Sequence, residues 1–222
     1  LEKKMLSERH AMIIFEGMIK LKQGIVVFLN GTSSSGKTSI STELLKQNKI
    51  SFKHLSIDDF LLRLLRDYFD FINTECSSTE SADREEVQVS NDIIINPLVS
   101  LFFSTIKFMS AKGINIVVDT VNDNDERLNA CLELLIDHPV LFVGVTCSKE
   151  ELTRREDLRG DRQSGLAISQ YDQVYCFDEY DIELNTEALR PDECANLILD
   201  FIRSNREYSA FKKINKKSVG VS

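Results

Sequence analysis

Gly31, Gly36, Lys37 and Thr38 stand at the spacing G-x-x-x-x-G-K-[ST] inside the run Gly31, Thr32, Ser33, Ser34, Ser35, Gly36, Lys37, Thr38, Ser39. Residues of these types at this spacing can hold a polyphosphate. Glycines let the backbone wrap until successive N–H groups point inward at an anion, and a helix that starts at the end of the loop adds its free N–H groups and its dipole. Lys37 would supply a point charge to the outer phosphates and Thr38 a hydroxyl to Mg²⁺. The pattern also has the context it needs, because an apolar run at 25–30 precedes it and a helical period follows. The implied ligand is a nucleoside triphosphate, ATP with Mg²⁺. A guanine-reading N-K-x-D is absent from the chain, which argues against a GTPase and leaves a transfer reaction to be considered.

Three further groups could complete a transfer site. Asp58 follows the apolar run 52–57 in the order Leu55, Ser56, Ile57, Asp58, Asp59, and side chains at the carboxyl ends of parallel strands converge on the crevice that a phosphate loop faces. A carboxylate there can accept the proton of an acceptor hydroxyl. A capping role for Asp58 or Asp59 at the start of the next helix is the other reading, and the two are compatible with Asp58 as base and Asp59 as cap. Asp119 ends the run 114–119, where its carboxylate would reach Mg²⁺ directly or through water; it is also the reserve candidate for general base, and a strand-end Asp can cap a loop. Arg155, Arg159 and Arg162 fall at i, i+4 and i+7, on one face if a helix runs through them. Planar guanidinium groups suit the charge spread over a phosphoryl group in flight, whereas a solvated face balanced by nearby Glu and Asp is the plainer alternative. Gly160 favours a shaped loop for Arg159 and Arg162. His54, within the second strand, reads as packed or satisfied, and neither His10 nor His138 forms a catalytic pair in sequence.

The elements that must position these groups follow from periodicity. Strands are expected at 25–30, 52–57, 114–119, 140–146 and 180–185, and helices at 36–47, 59–71, 91–111, 123–136, 149–158 and 191–204. The third of these helices should begin near Asn96, capped by it with Pro97 at the first position. This alternation predicts an α/β fold with a mostly parallel five-stranded sheet. The expected organisation is an N-terminal extension at 1–23, one domain at 24–207 with a lid near 154–170 and a polar loop at 73–90, and a basic tail at 208–222, read as solvated and frayed.

A net charge of −8 argues against a nucleic-acid acceptor, since a duplex would repel such a surface unless a basic stripe were set apart on it. The five cysteines are scattered without metal-ligand spacing, and no apolar run approaches the roughly 18–20 residues that cross a bilayer. A cytoplasmic, soluble protein is expected.

Taken together, "FLNGTSSSGKTS", "LSIDDF", "INIVVDTV" and above all "VLFVGVTCSKEELTRREDLRGDRQSGLAISQYDQV" with "EYDIELNT" resemble the chloramphenicol phosphotransferase-like P-loop kinases. The resemblance implies a three-layer fold of the nucleoside-monophosphate-kinase type, in which ATP phosphorylates a hydroxyl of a small molecule. It implies that Lys37 is the phosphate-loop lysine, Asp58 the catalytic carboxylate, and Arg159 and Arg162 the two lid arginines. One departure is visible: Asp119 is followed by Thr120, where the family often has a second acidic residue. A kinase of a sugar nucleotide, as in zeta-toxin-like proteins, and a non-catalytic ATP-binding module are the alternatives.

Overall fold

The computed structural model describes residues 22–76, 95–121, 125–159, 165–176 and 179–219. Arg162, most of the expected extension and the greater part of the polar run at 73–90 lie outside the described residues.

The five apolar runs form strands β1 (Val26–Asn30), β2 (Phe52–Ser56), β3 (Asn115–Thr120), β4 (Val140–Thr146) and β5 (Ile182–Asn185). They make one sheet in the order β2-β3-β1-β4-β5, each neighbouring pair parallel. Between and after them run α1 (Lys37–Gln47), α2 (Ile57–Cys76), α3 (Asn96–Ala111), α4 (Asp125–Leu135), α5 (Lys149–Arg159), α6 (Leu166–Val174), α7 (Pro191–Arg203) and α8 (Ala210–Val219). Because side chains alternate across a strand, the central strands feed two cores. Val26, Phe28, Ile116 and Val118 pack with α3, α4 and α8 on one face. Val27, Leu29, Val117 and Val143 pack with α1 and α7 on the other. Burying each such side chain stabilises the fold by about 1.5–3 kcal/mol relative to leaving it exposed. The result is a three-layer α/β sandwich. Among the described residues, no helix is long and apolar enough to cross a membrane.

The structure departs from the sequence reading at several element ends. Helix α2 begins at Ile57, directly after β2, and continues through Cys76, because no Gly or Pro interrupts it; the first residues of the expected polar loop are therefore helical. Helix α3 does start with Pro97 in its first turn, but Ile95 rather than Asn96 occupies the cap position.

The larger correction concerns the basic tail. Ala210, Phe211 and Ile214 are buried in the core of one sheet face, and the Phe211 ring lies 5.5 Å from that of Phe28 and 5.1 Å from that of Phe142. The lysines of α8 hid an apolar stripe at helical spacing. Asp181 fixes the helix start: its carboxylate accepts from the N–H groups of Ser209 (2.7 Å) and Ala210 (3.1 Å), and on its other oxygen from Phe142 N–H (2.9 Å).

Candidate active site

The phosphate-loop motif leaves the carboxyl end of β1 and curls back on itself. A Cβ on Gly31 would stand 2.6 Å from both Ser35 Oγ and the Val145 carbonyl oxygen, so no side chain fits at the first motif position. Gly36 has φ of 101° and leads directly into α1, a left-handed turn that a side chain would strain. This turn delivers Lys37 and Thr38 to the first turn of the helix. Lys37 is buried, and its Nζ donates to the carbonyl oxygens of Gly31 and Thr32, both at 2.8 Å, while standing 3.9 Å from Asp119 Oδ1. Thr38 Oγ1 donates to Asp119 Oδ2 at 2.7 Å.

Asp119 reaches this position because β3 lies beside β1 in register, with Leu29 opposite Asp119. A hydroxyl and a carboxylate this close form the kind of oxygen donor set that suits Mg²⁺, which takes few protein ligands and fills the rest of its shell with phosphate oxygens and water. Among the described residues no cluster of three or more His, Cys, Asp or Glu could hold a metal by itself. The Thr38 hydroxyl and the Asp119 carboxylate fit a cation that takes its remaining ligands from a polyphosphate.

The outer side of the loop is braced by groups far away in sequence. Arg155, on α5, donates from Nη1 to Thr186 Oγ1 (3.0 Å) and, at longer range, to the carbonyl oxygens of Ser34 and Ser35; its Nη2 donates to the Thr186 carbonyl oxygen (2.9 Å). Thr186 Oγ1 in turn donates to the Ser35 carbonyl oxygen at 2.7 Å. Arg155 is oriented by Glu151, whose carboxyl is held at about 2, below its usual value, by hydrogen bonds from Arg154 and then Arg155. Helix α6 adds Gln170, which accepts from Ser33 N–H at 3.0 Å, and Tyr175 follows at its end. The Tyr175 hydroxyl accepts from Thr32 N–H at 3.4 Å and donates to the Val145 carbonyl oxygen at 2.7 Å, and burial raises its pKa above the usual phenol value. The start of α6 is itself set from α5, since the buried Glu156 carboxylate accepts from the N–H groups of Gly165 (3.0 Å) and Ala167 (2.7 Å).

The groups singled out from sequence meet in one cleft of about 440 Å³ at the carboxyl ends of the strands: Lys37, Thr38, Asp58, Asp119 and Arg159 all line it. Asp58 stands in the first turn of α2 rather than after a strand, and the helix is capped by Ser56, whose Oγ accepts from Asp59 N–H at 3.4 Å. Asp59 is thus not the cap. Helix α5 is described as far as Arg159, and the expected turn at Gly160 and Arg162 both lie outside the described residues.

Thr186 and His54 were not picked out by sequence as site residues, and Arg155 only as one of three arginines on a helix face, yet all three line the cleft. Thr186 follows the last residue of β5, so the rule that singled out Asp119 also reaches it. His54 was expected to be packed or satisfied. Its Nε2 is instead buried without a hydrogen-bond partner and stands 4.0 Å from Asp119 Oδ2. Alternation explains the difference: Phe52 packs in the core of one face, and His54 points to that same side two residues nearer the strand end, where the cleft opens.

Comparison with known proteins bears on this arrangement. The family described as "Chloramphenicol phosphotransferase-like protein" matches residues 24–203. A protein of Mycobacterium tuberculosis named "Putative O-phosphotransferase Rv2636" is 28% identical over 206 residues, covering 90% of this chain and 92% of its own. Among solved structures, the Mycobacterium tuberculosis APS kinase CysC in complex with AMPPNP and APS superposes with a TM-score of 0.58 at 16% identity, over 82% of this chain and 98% of that one. A sugar kinase from a Janibacter species gives 0.53 at 17% identity, over 82% and 95%. At such identities these structures speak for the fold, an α/β P-loop kinase fold. The family match spans most of the chain, phosphate loop and brace included, and by it the chain belongs to the chloramphenicol phosphotransferase-like family of P-loop phosphotransferases.

Proposed function

We propose that the protein is an ATP- and Mg²⁺-dependent O-phosphotransferase that moves the γ-phosphoryl group to a hydroxyl of a small molecule. The observation that carries this reading is the convergence of Lys37, Thr38, Asp58, Asp119 and Arg159 on one cleft. A nucleotide switch that transfers nothing has no need of a carboxylate across the cleft from its phosphate loop.

In this reading the N–H groups at the start of α1 and the Lys37 ammonium bind the β- and γ-phosphates. Thr38 and Asp119 would hold Mg²⁺, which when bound neutralises charge on the phosphate oxygens. Asp58 accepts the proton of the acceptor hydroxyl as its oxygen bonds to the γ-phosphorus. The bond from that phosphorus to the bridging oxygen breaks, and ADP leaves with the electron pair. Arg159, together with Arg162, lends positive charge to the transferred group. Rate enhancement then comes from positioning and electrostatics rather than covalent chemistry. The reading places the enzyme in the cytoplasm, where ATP is available.

The test is ATP-dependent transfer to chloramphenicol and a panel of other hydroxyl compounds, followed by mass spectrometry, with nucleotide binding measured in parallel. Lys37→Ala should abolish transfer, and Asp58→Asn should remove most of it while sparing ATP binding. Normal turnover by Asp58→Asn would rule out Asp58 as the base.

A further inference from the structure

Helix α5 is strongly polar, and the side chains it buries are Leu152 and Glu156, one turn apart on one face. Leu152 packs with Cys147, Ala167, Ile168 and Tyr171 in a small core between α5 and α6, separate from the two cores of the sheet. Glu156 is 3% exposed. A carboxylate withdrawn from water to this degree is costly unless its oxygens are paired. Each of them accepts from a free N–H at the start of α6, Oε2 from Gly165 at 3.0 Å and Oε1 from Ala167 at 2.7 Å. The cap position of α6 is Gly165, with φ of 87° and no side chain to close the helix start. A residue on another helix therefore supplies what a local cap would.

Helix α6 in turn holds the first half of the phosphate loop and the strand end that leads into it. Gln170 accepts from Ser33 N–H, the Val174 carbonyl oxygen accepts from Asn30 Nδ2 at 3.0 Å, and Tyr175, just past the helix, accepts from Thr32 N–H. The second half is held from α5 directly, by Arg155 at the Ser34 and Ser35 carbonyl oxygens and at Thr186. Two consecutive residues of α5, opposite in charge, thus reach both halves of the loop. Arg155 does so by its own contacts and Glu156 through α6. The N–H groups that would bind phosphate follow this segment directly, so their aim depends on how the segment is held, and donors fixed in advance bind an anion best.

We propose that Glu156 is a positioning residue for the nucleotide: it touches no substrate, and by anchoring α6 it keeps Gln170 and Tyr175 on the phosphate loop and the loop in its binding shape. The inference rests on the phosphotransferase reading above, in which this loop holds a triphosphate. The probe is a fluorescent ATP analogue titrated in the presence of Mg²⁺, with amide hydrogen exchange of the nucleotide-free protein followed in parallel by mass spectrometry. Glu156→Gln keeps the size and one acceptor but turns an amide NH₂ toward one of the two N–H donors. It should raise the Kd of the analogue about tenfold, the scale of one lost hydrogen bond. Exchange of the Thr32 and Ser33 amides should speed up at least about tenfold on the same scale, with exchange in α3 unchanged.

Gln170→Met, which leaves the start of α6 capped, should raise the Kd to a similar extent. Because Glu156 acts through Gln170, the double variant should bind about as well as the weaker single variant. Wild-type affinity in Glu156→Gln, independent losses in the double variant, or exchange that rises in α3 as much as in the loop overturns this inference and leaves the phosphotransferase reading standing. If Glu156→Gln does not fold, Gln170→Met decides, and wild-type affinity in that variant overturns the inference. A wild-type protein that does not bind the analogue overturns both.

Discussion

Thr38 and Asp119, 81 residues apart in sequence, are joined by a 2.7 Å hydrogen bond from Thr38 Oγ1 to Asp119 Oδ2. The bond ties the first turn of α1 to the end of β3, and it places together the two oxygens that the proposed function assigns to Mg²⁺. Thr38→Val and Asp119→Asn should each lower kcat on the order of 10²-fold, the scale seen when one charge-stabilising group is removed from a phosphoryl or acyl transfer site. Because the residues touch and, in the proposed function, serve one ion, the double variant should cost clearly less than the product of the two losses. Steady-state rates at graded Mg²⁺ concentrations measure this, and independent losses would show that the pair does not share a ligand.

Arg155 predicts a separation of charge from shape. Its guanidinium spans Glu151, the loop carbonyls and Thr186 at once, a geometry that an ammonium cannot copy. Arg155→Lys should therefore behave like Arg155→Ala and weaken ATP binding about tenfold or more, by loosening the phosphate loop rather than by removing a charge. Titration with a fluorescent nucleotide decides it: wild-type affinity in the Lys variant would assign the effect to charge.

Helix α8 should matter to stability through its apolar stripe and not through its lysines. Phe211 packs on Phe28 and Phe142, so Phe211→Ala is expected to destabilise by about 3–5 kcal/mol, lowering Tm by roughly 6–20 °C in a domain of this size. Lys212 and Lys213 pair with Glu207 and Glu179 on the surface, and replacing either lysine with Ala should change stability by less than about 1 kcal/mol. Thermal unfolding of the three variants separates the two contributions.

His138 gives a dependence on pH. Ser110 Oγ donates to the Gly24 carbonyl oxygen at 2.7 Å and so accepts at 2.9 Å from His138 Nδ1, which must carry the proton. Burial, followed by the charge of Lys107, lowers the His138 pKa below its usual 6.5. A group whose folded pKa is depressed takes up its proton more readily in the unfolded chain, so its contribution is fully present above pH 6.5 and is lost as pH falls toward the folded value. Tm should fall on acidification below about pH 6.5, and His138→Gln should flatten that part of the profile. An unchanged slope in the variant would assign the acid sensitivity to other groups.

Much of the scaffold was legible because its signals are local. The three central strands are short, nearly fully buried apolar runs and each main helix a helical period. The phosphate loop is a pattern of backbone needs, with Gly31 where no side chain fits and Gly36 where φ is positive. Asp58 and Asp119 could be named in advance because the carboxyl ends of parallel strands, and the helix starts just beyond them, converge on one crevice, and Arg159 because of its helical spacing beside Gly160. The misreadings share a cause too. The stripe of α8 was masked by lysines that face solvent, and α6, where no helix was expected, has its start set by Glu156 on a different helix.

The sequence by itself determined the phosphate-loop pattern, the class of fold and which carboxylates come to line the cleft, because each depends on residue type over a few positions or on simple periodicity. Only the tertiary structure decided that Thr38 meets Asp119, that Arg155 and Thr186 brace the loop, and that His54 and Thr120 line the cleft. Those relations depend on the order β2-β3-β1-β4-β5 and on the register between its strands, which arise from packing two cores against a sheet whose neighbours are distant along the chain.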